Sequence, residues 1–388
     1  MKMKIKIAYV STARSDYGPS YWLIHDLFAD KRFDMTLVVA GSHLSRQHGY
    51  TVEEIENDGW PIAVRIPFID ENATSLGLGT GQALTSFSEL FAQHRPDIVV
   101  LYGDRHELLP VATAAVINRT PLAHICGGDI TEGAIDDQVR HAITKIAHVH
   151  FPSTKKSSGR IHQMGEEPWR IHHVGDPALD GFVRGDYASE DELNSVLGFM
   201  PSRDCILVTF HPPTLELEQT PIQVKELAAA LNAYKGDIII TAPAPDPGAD
   251  MVRTELQALA RSRPHTVFVE NLGRRRYKGL LKLVGAMVGN SSSGLNEAPC
   301  VPLPVVNIGS RQKGRDRAEN ILDVLPERSA ILKGIQVALS PGFVSSLKNI
   351  QNPYGDGNAS GKILNVLAEL PPRERLLFKH FMPFPPTL

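Results

Sequence analysis

Cysteine is scarce: Cys126, Cys205 and Cys300 are the only three in 388 residues. They lie far apart and lack metal-ligand spacing, which excludes a disulfide framework and fits a reducing compartment. Long apolar runs are also missing. No stretch approaches the roughly 20 residues needed to span a bilayer. The amino terminus, MKMKIKIAYVSTAR, turns polar at Ser11, which leaves too little apolar length for a signal peptide. It reads as a first strand, and the expected location is cytoplasmic. Nor is there an excess of one charge. A net charge of −3 gives no global field that would attract nucleic acid or an anionic membrane. Neither is an expected partner, and any phosphate-binding charge must be local. The histidines show no HExxH or zinc-type spacing, so no metal site is expected, and His148, His150, His172 and His173 read as structural.

What is present is a globular composition, 42% hydrophobic and 21% charged, in a chain too long for one ordinary core. Short β-rich runs recur at 5–10, 35–39, 98–102, 122–125, 149–152 and 171–174. Helical patterns lie between most of them, at 21–29, 83–93, 107–117 and 138–147. Apolar runs that alternate with helices mark a parallel sheet covered on both faces. The same grammar restarts after Gly185, with strands expected at 206–210, 238–241, 266–269, 286–288 and 305–308. Its helices are expected at 190–197, 222–234 and 251–260. Two copies of one architecture follow, an α/β first domain over 1–180 and a second over 181–370, linked near 175–187. The tail, 371–388, is expected to cross back onto the first domain.

Ligands of open parallel sheets sit beyond the carboxyl ends of the strands. Several chemistry-bearing residues fall there. Arg14 and Asp16 follow the first strand, Asp104 and Arg105 follow IVVLY, and GGDITEGAIDD follows LAHIC. His211 follows ILVTF, GNSSSG follows AMV, and GSRQKGRDR follows VVNI. Acidic clusters come from the first half and phosphate-friendly ones from the second, a pairing that suits a nucleotide-linked substrate. Backbone N–H groups at a helix start, with the Ser291 and Ser292 hydroxyls, can hold a diphosphate; the plainer reading is a serine N-cap. Arg311, Lys313, Arg315 and Arg317 form either a phosphate loop or a solvated face. Glu297 can hold ribose hydroxyls or face solvent. Asp104 is an acid/base candidate or the partner of Arg105 in a salt bridge. Asp129, Glu132, Asp136 and Asp137 crowd carboxyls together, which suits acid/base work; Asp136 or Asp137 is equally suited to start the helix that follows. GLGTGQ (77–82) resembles a glycine-rich nucleotide loop but follows no clear strand. Arg274, Arg275 and Arg276 read as solvated surface.

The strings GDR, GGDITEGAIDDQVRHAITK, GNSSSGLNEAP, NIGSRQKGR and NPYGDGNAS, in this order, resemble the hydrolysing UDP-N-acetylglucosamine 2-epimerases. The likeness runs from Arg14 to about Ile363. GNSSSG followed by NxGxRQxGR is specific; GDR alone is not. The resemblance implies a GT-B fold of two Rossmann-like doubly wound domains with the site in an interdomain cleft. It also implies a nucleotide-sugar substrate, no NAD, no required metal, and a homo-oligomer, dimer or tetramer. The usual product, N-acetylmannosamine, feeds sialic and related nonulosonic acids. By resemblance, Arg14, Arg105, His211, Ser291, Ser292, Glu297 and Arg311 hold the nucleotide. Asp104, Glu132 and Asp136 take acid/base or positioning roles, and His211 counts among the catalytic residues as well.

Two departures bear on the substrate. Many members carry glutamate where this chain has Cys126, and Glu132 is expected to take over, with Asp129 in reserve. Ala244 stands where an asparagine is common. Close relatives act instead on a 2,4-diacetamido-2,4,6-trideoxy sugar carried by UDP or GDP, in the legionaminic acid route. A retaining GT-B glycosyltransferase or a non-catalytic sensor would share the nucleotide wall. The carboxyl-rich GGDITEG loop favours proton abstraction over either.

Overall fold

The apolar runs assemble into two six-stranded, wholly parallel sheets in a computed structural model that describes residues 3–47, 49–69, 76–244 and 246–383. The first sheet contains β1 (Ile5–Ser11), β2 (Phe33–Ala40), β3 (Ile62–Ile66), β4 (Ile98–Tyr102), β5 (Leu122–Ile125) and β6 (Val149–Phe151). Their order is β3-β2-β1-β4-β5-β6. The second contains β7 (Ile206–Thr209), β8 (Ile238–Thr241), β9 (Thr266–Val269), β10 (Ala286–Gly289), β11 (Val305–Ile308) and β12 (Ile321–Val324). It runs β12-β11-β10-β7-β8-β9, the same doubly wound order. In each sheet the strand order reverses once, between β1 and β4 and between β7 and β10, and such switch points are where α/β sheets take ligands.

Both faces of each sheet are buried, which is why the strands read as unbroken apolar runs. Along β1, Ile7 and Tyr9 join one core cluster while Ala8 and Val10 join the other. Along β7, Ile206 and Val208 face one cluster of the second sheet and Leu207 faces the other. The two strands that escaped the sequence reading, β3 and β12, lie at sheet edges and are only partly buried. The strand expected at 171–174 is reduced to a single bridge between His150 and Ile171. GLGTGQ is no loop: it lies inside the helix Leu76–His94.

The chain divides into two compact units. One holds Met1–Asp129, Asp136–Asp180 and Tyr354–Leu388; the other holds Ile130–Ile135 and Gly181–Pro353. The second unit therefore ends at Pro353, not at 370, and six residues of the GGDITEGAIDD loop, Ile130–Ile135, belong to it. The return to the first unit is anchored by polar contacts over very long sequence separations. Asp180 accepts the N–H groups of Ala359 (2.9 Å) and Ser360 (2.8 Å), capping the helix Ala359–Ala368. That helix adds Ile363, Leu364 and Leu367 to the cluster of Leu23, Ile24 and Leu27. Burying each such side chain stabilises by roughly 1.5–3 kcal/mol. The buried Arg170 then donates to the carbonyls of Leu376 (2.9 Å), Arg375 (3.2 Å) and Phe378 (2.6 Å). Residues 384–388, the proline-rich end of the tail, lie outside the described residues. Among the described residues no single helix is long and apolar enough to cross a membrane.

Candidate functional site

At the first switch point, the turn after β1 is organised by the buried Asp16. Its carboxylate accepts the N–H groups of Thr12 (2.8 Å) and Ala13 (3.1 Å) and the hydroxyls of Thr12 and Ser11. Ser11 also meets His43 Nε2 at 2.9 Å, and His43 Nδ1 meets Thr51 Oγ1 at 2.7 Å. This polar knot fixes the turn from which Arg14 projects, at the first residue of the helix Arg14–Ala29.

After β4 come Asp104 and Arg105, and they do not pair with each other. Asp104 is bound by the guanidinium of Arg140, a buried residue of the helix Asp136–Ile146. Arg140 also donates to the carbonyl of Asp129 at 3.1 Å. Arg105 Nε instead donates to Glu107 Oε2 at 2.9 Å, and Ser42 Oγ donates to Glu107 Oε1 at 2.6 Å. Burial alone would raise the pKa of the Glu107 carboxyl. The charges of Arg105 and His106, with hydrogen bonds from Arg105 and Ser42, outweigh burial and hold it at about 2. The sequence reading missed Glu107 and Arg140, which hold the two residues it singled out.

The carboxyl-rich loop after β5 is divided between the units. Asp129 is buried in the first unit and accepts the hydroxyls of Ser153 (3.1 Å) and Ser157. Asp136 is also in the first unit, as the first residue of its helix, where its charge favours the helix N-terminus. Glu132 belongs to the second unit. Its N–H donates to the carbonyl of Lys313 at 3.1 Å, and its carboxylate meets Lys313 Nζ at 2.9 Å. Between them the backbone is close: a Cβ on Gly133 would lie 2.7 Å from the carbonyl oxygen of Ser310 and 2.8 Å from Arg311 Cα. Only glycine fits there. Cys126 is buried and takes a left-handed φ of 60°. The histidines read as structural are held by the fold: His148 Nδ1 accepts the N–H of Leu122 at 3.2 Å, and His150 lies 3.2 Å from Glu166.

At the second switch point, β10 ends against β7. Gly289 has φ 141°, and a Cβ there would lie 1.9 Å from the carbonyl oxygen of Thr209. His211, just past β7, accepts the N–H of Ala244 on its Nδ1 at 3.0 Å. A backbone N–H can only donate, so the neutral ring carries its proton on Nε2. The backbone of Ala244 makes this bond, whatever side chain the position carries. Arg311 Nη1 and Gln312 Nε2 both donate to the carbonyl of Asn290, at 3.1 and 2.9 Å. Two other cations of the basic loop are otherwise engaged: Arg317 pairs with Asp323 and Lys313 with Glu132.

The helix expected to begin in GNSSSG is a single turn, Ser293–Asn296, followed by the 3-10 turn Ala298–Cys300. So short a helix has little macrodipole. Anion binding here would rest on the Ser291 and Ser292 hydroxyls, nearby N–H groups and Arg311. Glu297 sits at the end of that turn, half-buried. Arg274, Arg275 and Arg276 lie on the helix Gly273–Leu283, where they face Asp186 and Glu192. Among the described residues no group of three or more His, Cys, Asp or Glu is placed to hold a metal ion.

Thus Arg14, Asp104, Arg105 and Asp136 belong to the first unit, and Glu132, His211, Ser291, Ser292, Glu297 and Arg311 to the second. A protein of Legionella pneumophila described as UDP-N,N'-diacetylbacillosamine 2-epimerase (hydrolyzing) is 35% identical over 376 residues, 96% of this chain and 98% of its own. The GDP/UDP-N,N'-diacetylbacillosamine 2-epimerase (hydrolyzing) of Campylobacter jejuni is 36% identical over 324 residues, 82% of this chain and 84% of its own. Among solved structures, UDP-GlcNAc 2-epimerase from Neisseria meningitidis bound to UDP-GlcNAc superposes with a TM-score of 0.80. It is 19% identical, and the match covers 95% of this chain and 100% of that one. That likeness establishes the fold, two Rossmann-like domains of the GT-B class. The family model described as UDP-N-acetylglucosamine 2-epimerase matches residues 25–368. On these matches the chain belongs to the UDP-N-acetylglucosamine 2-epimerase family and is an enzyme of its hydrolysing, carbon-2-epimerising kind.

Proposed function

We propose that the substrate is a UDP- or GDP-linked 2,4-diacetamido-2,4,6-trideoxy sugar, in preference to UDP-N-acetylglucosamine. The observation that carries this choice is the 35–36% identity to two enzymes named for N,N'-diacetylbacillosamine, one of them matched over nearly its whole length. It favours the legionaminic-type route over the N-acetylmannosamine route that the general family resemblance implies.

In the proposed reaction a base removes the proton on sugar carbon 2 while the bond from carbon 1 to the diphosphate oxygen breaks. A carbon 1–carbon 2 double bond forms, and the nucleoside diphosphate leaves with the electron pair. Water then adds its hydroxyl at carbon 1, and a proton returns to carbon 2 from the opposite face. One water is consumed and no electrons are gained or lost, so the chemistry calls for no nicotinamide. The carbon 2 proton is weakly acidic, so the departing diphosphate must be stabilised by charge-assisted donors. We assign that task to Arg14, Arg105, Ser291, Ser292 and Arg311, with Glu297 on the ribose. His211 donates from Nε2 toward the same group. Asp104, Glu132 and Asp136 supply the acid/base groups at the sugar.

The test is incubation with UDP- and GDP-N,N'-diacetylbacillosamine and with UDP-GlcNAc, each with no other addition, in deuterium oxide. The expected result is release of the nucleoside diphosphate, fastest from a diacetamido substrate, with deuterium at carbon 2 of the freed 2-epimer. Faster turnover of UDP-GlcNAc would overturn the sugar assignment. Release without deuterium at carbon 2 would overturn the elimination.

A further inference from the structure

We propose that Asn290 is a positioning residue that sets His211, Arg311 and Gln312 as one rigid group at the carboxyl ends of β7, β10 and β11. The inference rests on the assignment of His211 and Arg311 to the nucleotide. Asn290 is fully buried. Its Oδ1 accepts the N–H of His211 at 2.7 Å, and its Nδ2 donates to the carbonyl of the same residue at 2.8 Å. The orientation of the amide is not arbitrary, because the N–H can only donate and the C=O can only accept. One side chain therefore clamps both polar groups of the His211 backbone, across 79 positions of sequence. Its main chain serves the other loop. The carbonyl of Asn290 takes Arg311 Nη1 and Gln312 Nε2, while its N–H donates to Thr209 at 3.1 Å. The close approach at Gly289 brings the two strand ends near enough for this clamp.

The consequence is that the His211 ring and the Arg311 guanidinium are placed relative to each other before any ligand arrives. Groups that must meet a diphosphate as it leaves gain from such preorganisation. Alanine at 290 would keep the backbone carbonyl that holds Arg311 and Gln312 but would release His211. Aspartate would keep the acceptor for the His211 N–H and set an oxygen against the His211 carbonyl.

The experiment compares Asn290→Ala and Asn290→Asp with Asn320→Ala. Asn320 is equally buried, but its amide bonds the carbonyl of Leu303. Three readouts are taken: thermal midpoint, UDP affinity with kcat and KM, and the imidazole nitrogen resonances of His211 in 15N-histidine protein. In wild type, His211 is expected to show an unprotonated Nδ1 and a protonated Nε2. Asn290→Ala is expected to mix the two tautomers, weaken UDP binding about 10–100-fold and lower kcat, the scale of one or two lost hydrogen bonds to a charged ligand. Asn320→Ala is expected to lower the thermal midpoint without moving the resonances or the affinity. A folded Asn290→Ala with wild-type resonances and UDP affinity overturns the proposal. If Asn290→Ala does not fold, Asn290→Asp decides by the same readouts: an intermediate loss supports the clamp and wild-type values refute it. If wild type neither binds UDP nor turns over, the functional reading fails, and the His211 resonances still decide the clamp.

Discussion

Glu107→Gln tests whether the buried carboxylate behind Arg105 is an electrostatic anchor. The substitution keeps the shape of the side chain and its bond from Ser42, but removes the charge. In the folded protein the carboxyl is held at about 2, against an ordinary value of 4.5. At about 1.4 kcal/mol per unit, the charged form adds on the order of 3 kcal/mol at neutral pH. No discount for solvent screening applies, because the Glu107 side chain is fully buried. The folded-state pKa is depressed, so this stability is present above pH 4.5 and lost as pH falls toward 2. Near pH 3 about 1 kcal/mol should remain. Urea unfolding of wild type and variant at pH 7 and pH 3 measures the difference directly. The gap should be about 3 kcal/mol at pH 7 and shrink to about a third of that at pH 3. A gap of the same size at both values would mean that the cost is packing, and the electrostatic account would be wrong. Arg105, freed from its partner, should also raise KM more than it lowers kcat.

Arg311→Ala removes a charge-assisted donor from the loop proposed to hold the nucleotide and should weaken UDP binding by roughly 1.5–3 kcal/mol in titration calorimetry; unchanged affinity in a folded variant would remove Arg311 from the site. Asp104→Asn keeps shape but cannot exchange a proton, so turnover should fall about 10²–10⁴-fold with UDP affinity retained. Exhaustive dialysis against EDTA should leave turnover intact, and a loss restored by a divalent ion would show that the reaction needs a metal.

The doubly wound architecture could be read because its inner strands are buried on both faces and stand out as apolar runs between helices. Two of the four edge strands, β3 and β12, could not. In β3, IAVRI alternates between partly buried and exposed positions before ending on the buried Ile66, and β12 is partly buried except at the exposed Asp323. Neither carries the continuous apolar signal of an inner strand. The residues that follow the strands were visible for the same topological reason, since Arg14, Asp104, His211 and Ser291 all flank a switch point. Their supporting residues were hidden to different degrees. Glu107 lies two positions from Arg105 and could have been suspected. Asn290 stood inside a recognised motif, yet its partner is 79 positions away. Arg140 reads as a polar position on an amphipathic helix. Its guanidinium is satisfied inside the fold by partners that include Asp104 and the Asp129 carbonyl.

Which carboxylate of the GGDITEG loop serves the reaction turns on what each already does in the fold. Asp129 is buried and bound by two serine hydroxyls. Hydrogen bonds to a charged group are worth about 1.5–3 kcal/mol each, so Asp129→Asn should cost on the order of 3 kcal/mol of stability, whatever it does to turnover. Glu132 is 48% exposed, and its partner Lys313 is 72% exposed. Such an exposed pair, screened by solvent, adds little to stability, so Glu132→Gln should leave the thermal midpoint almost unchanged. A carboxylate held this weakly can exchange Lys313 for a substrate at little cost; one locked by buried hydroxyls cannot. On the proposed reading, Glu132→Gln therefore loses turnover without losing stability, and Asp129→Asn loses stability first. The pair is measured by thermal unfolding alongside single-turnover release of nucleoside diphosphate, with deuterium incorporation at carbon 2 as a third readout. If Glu132→Gln turns over normally while a well-folded Asp129→Asn is inactive, the proton is moved by the buried carboxylate, and the Glu132–Lys313 pair is only a clasp on the loop.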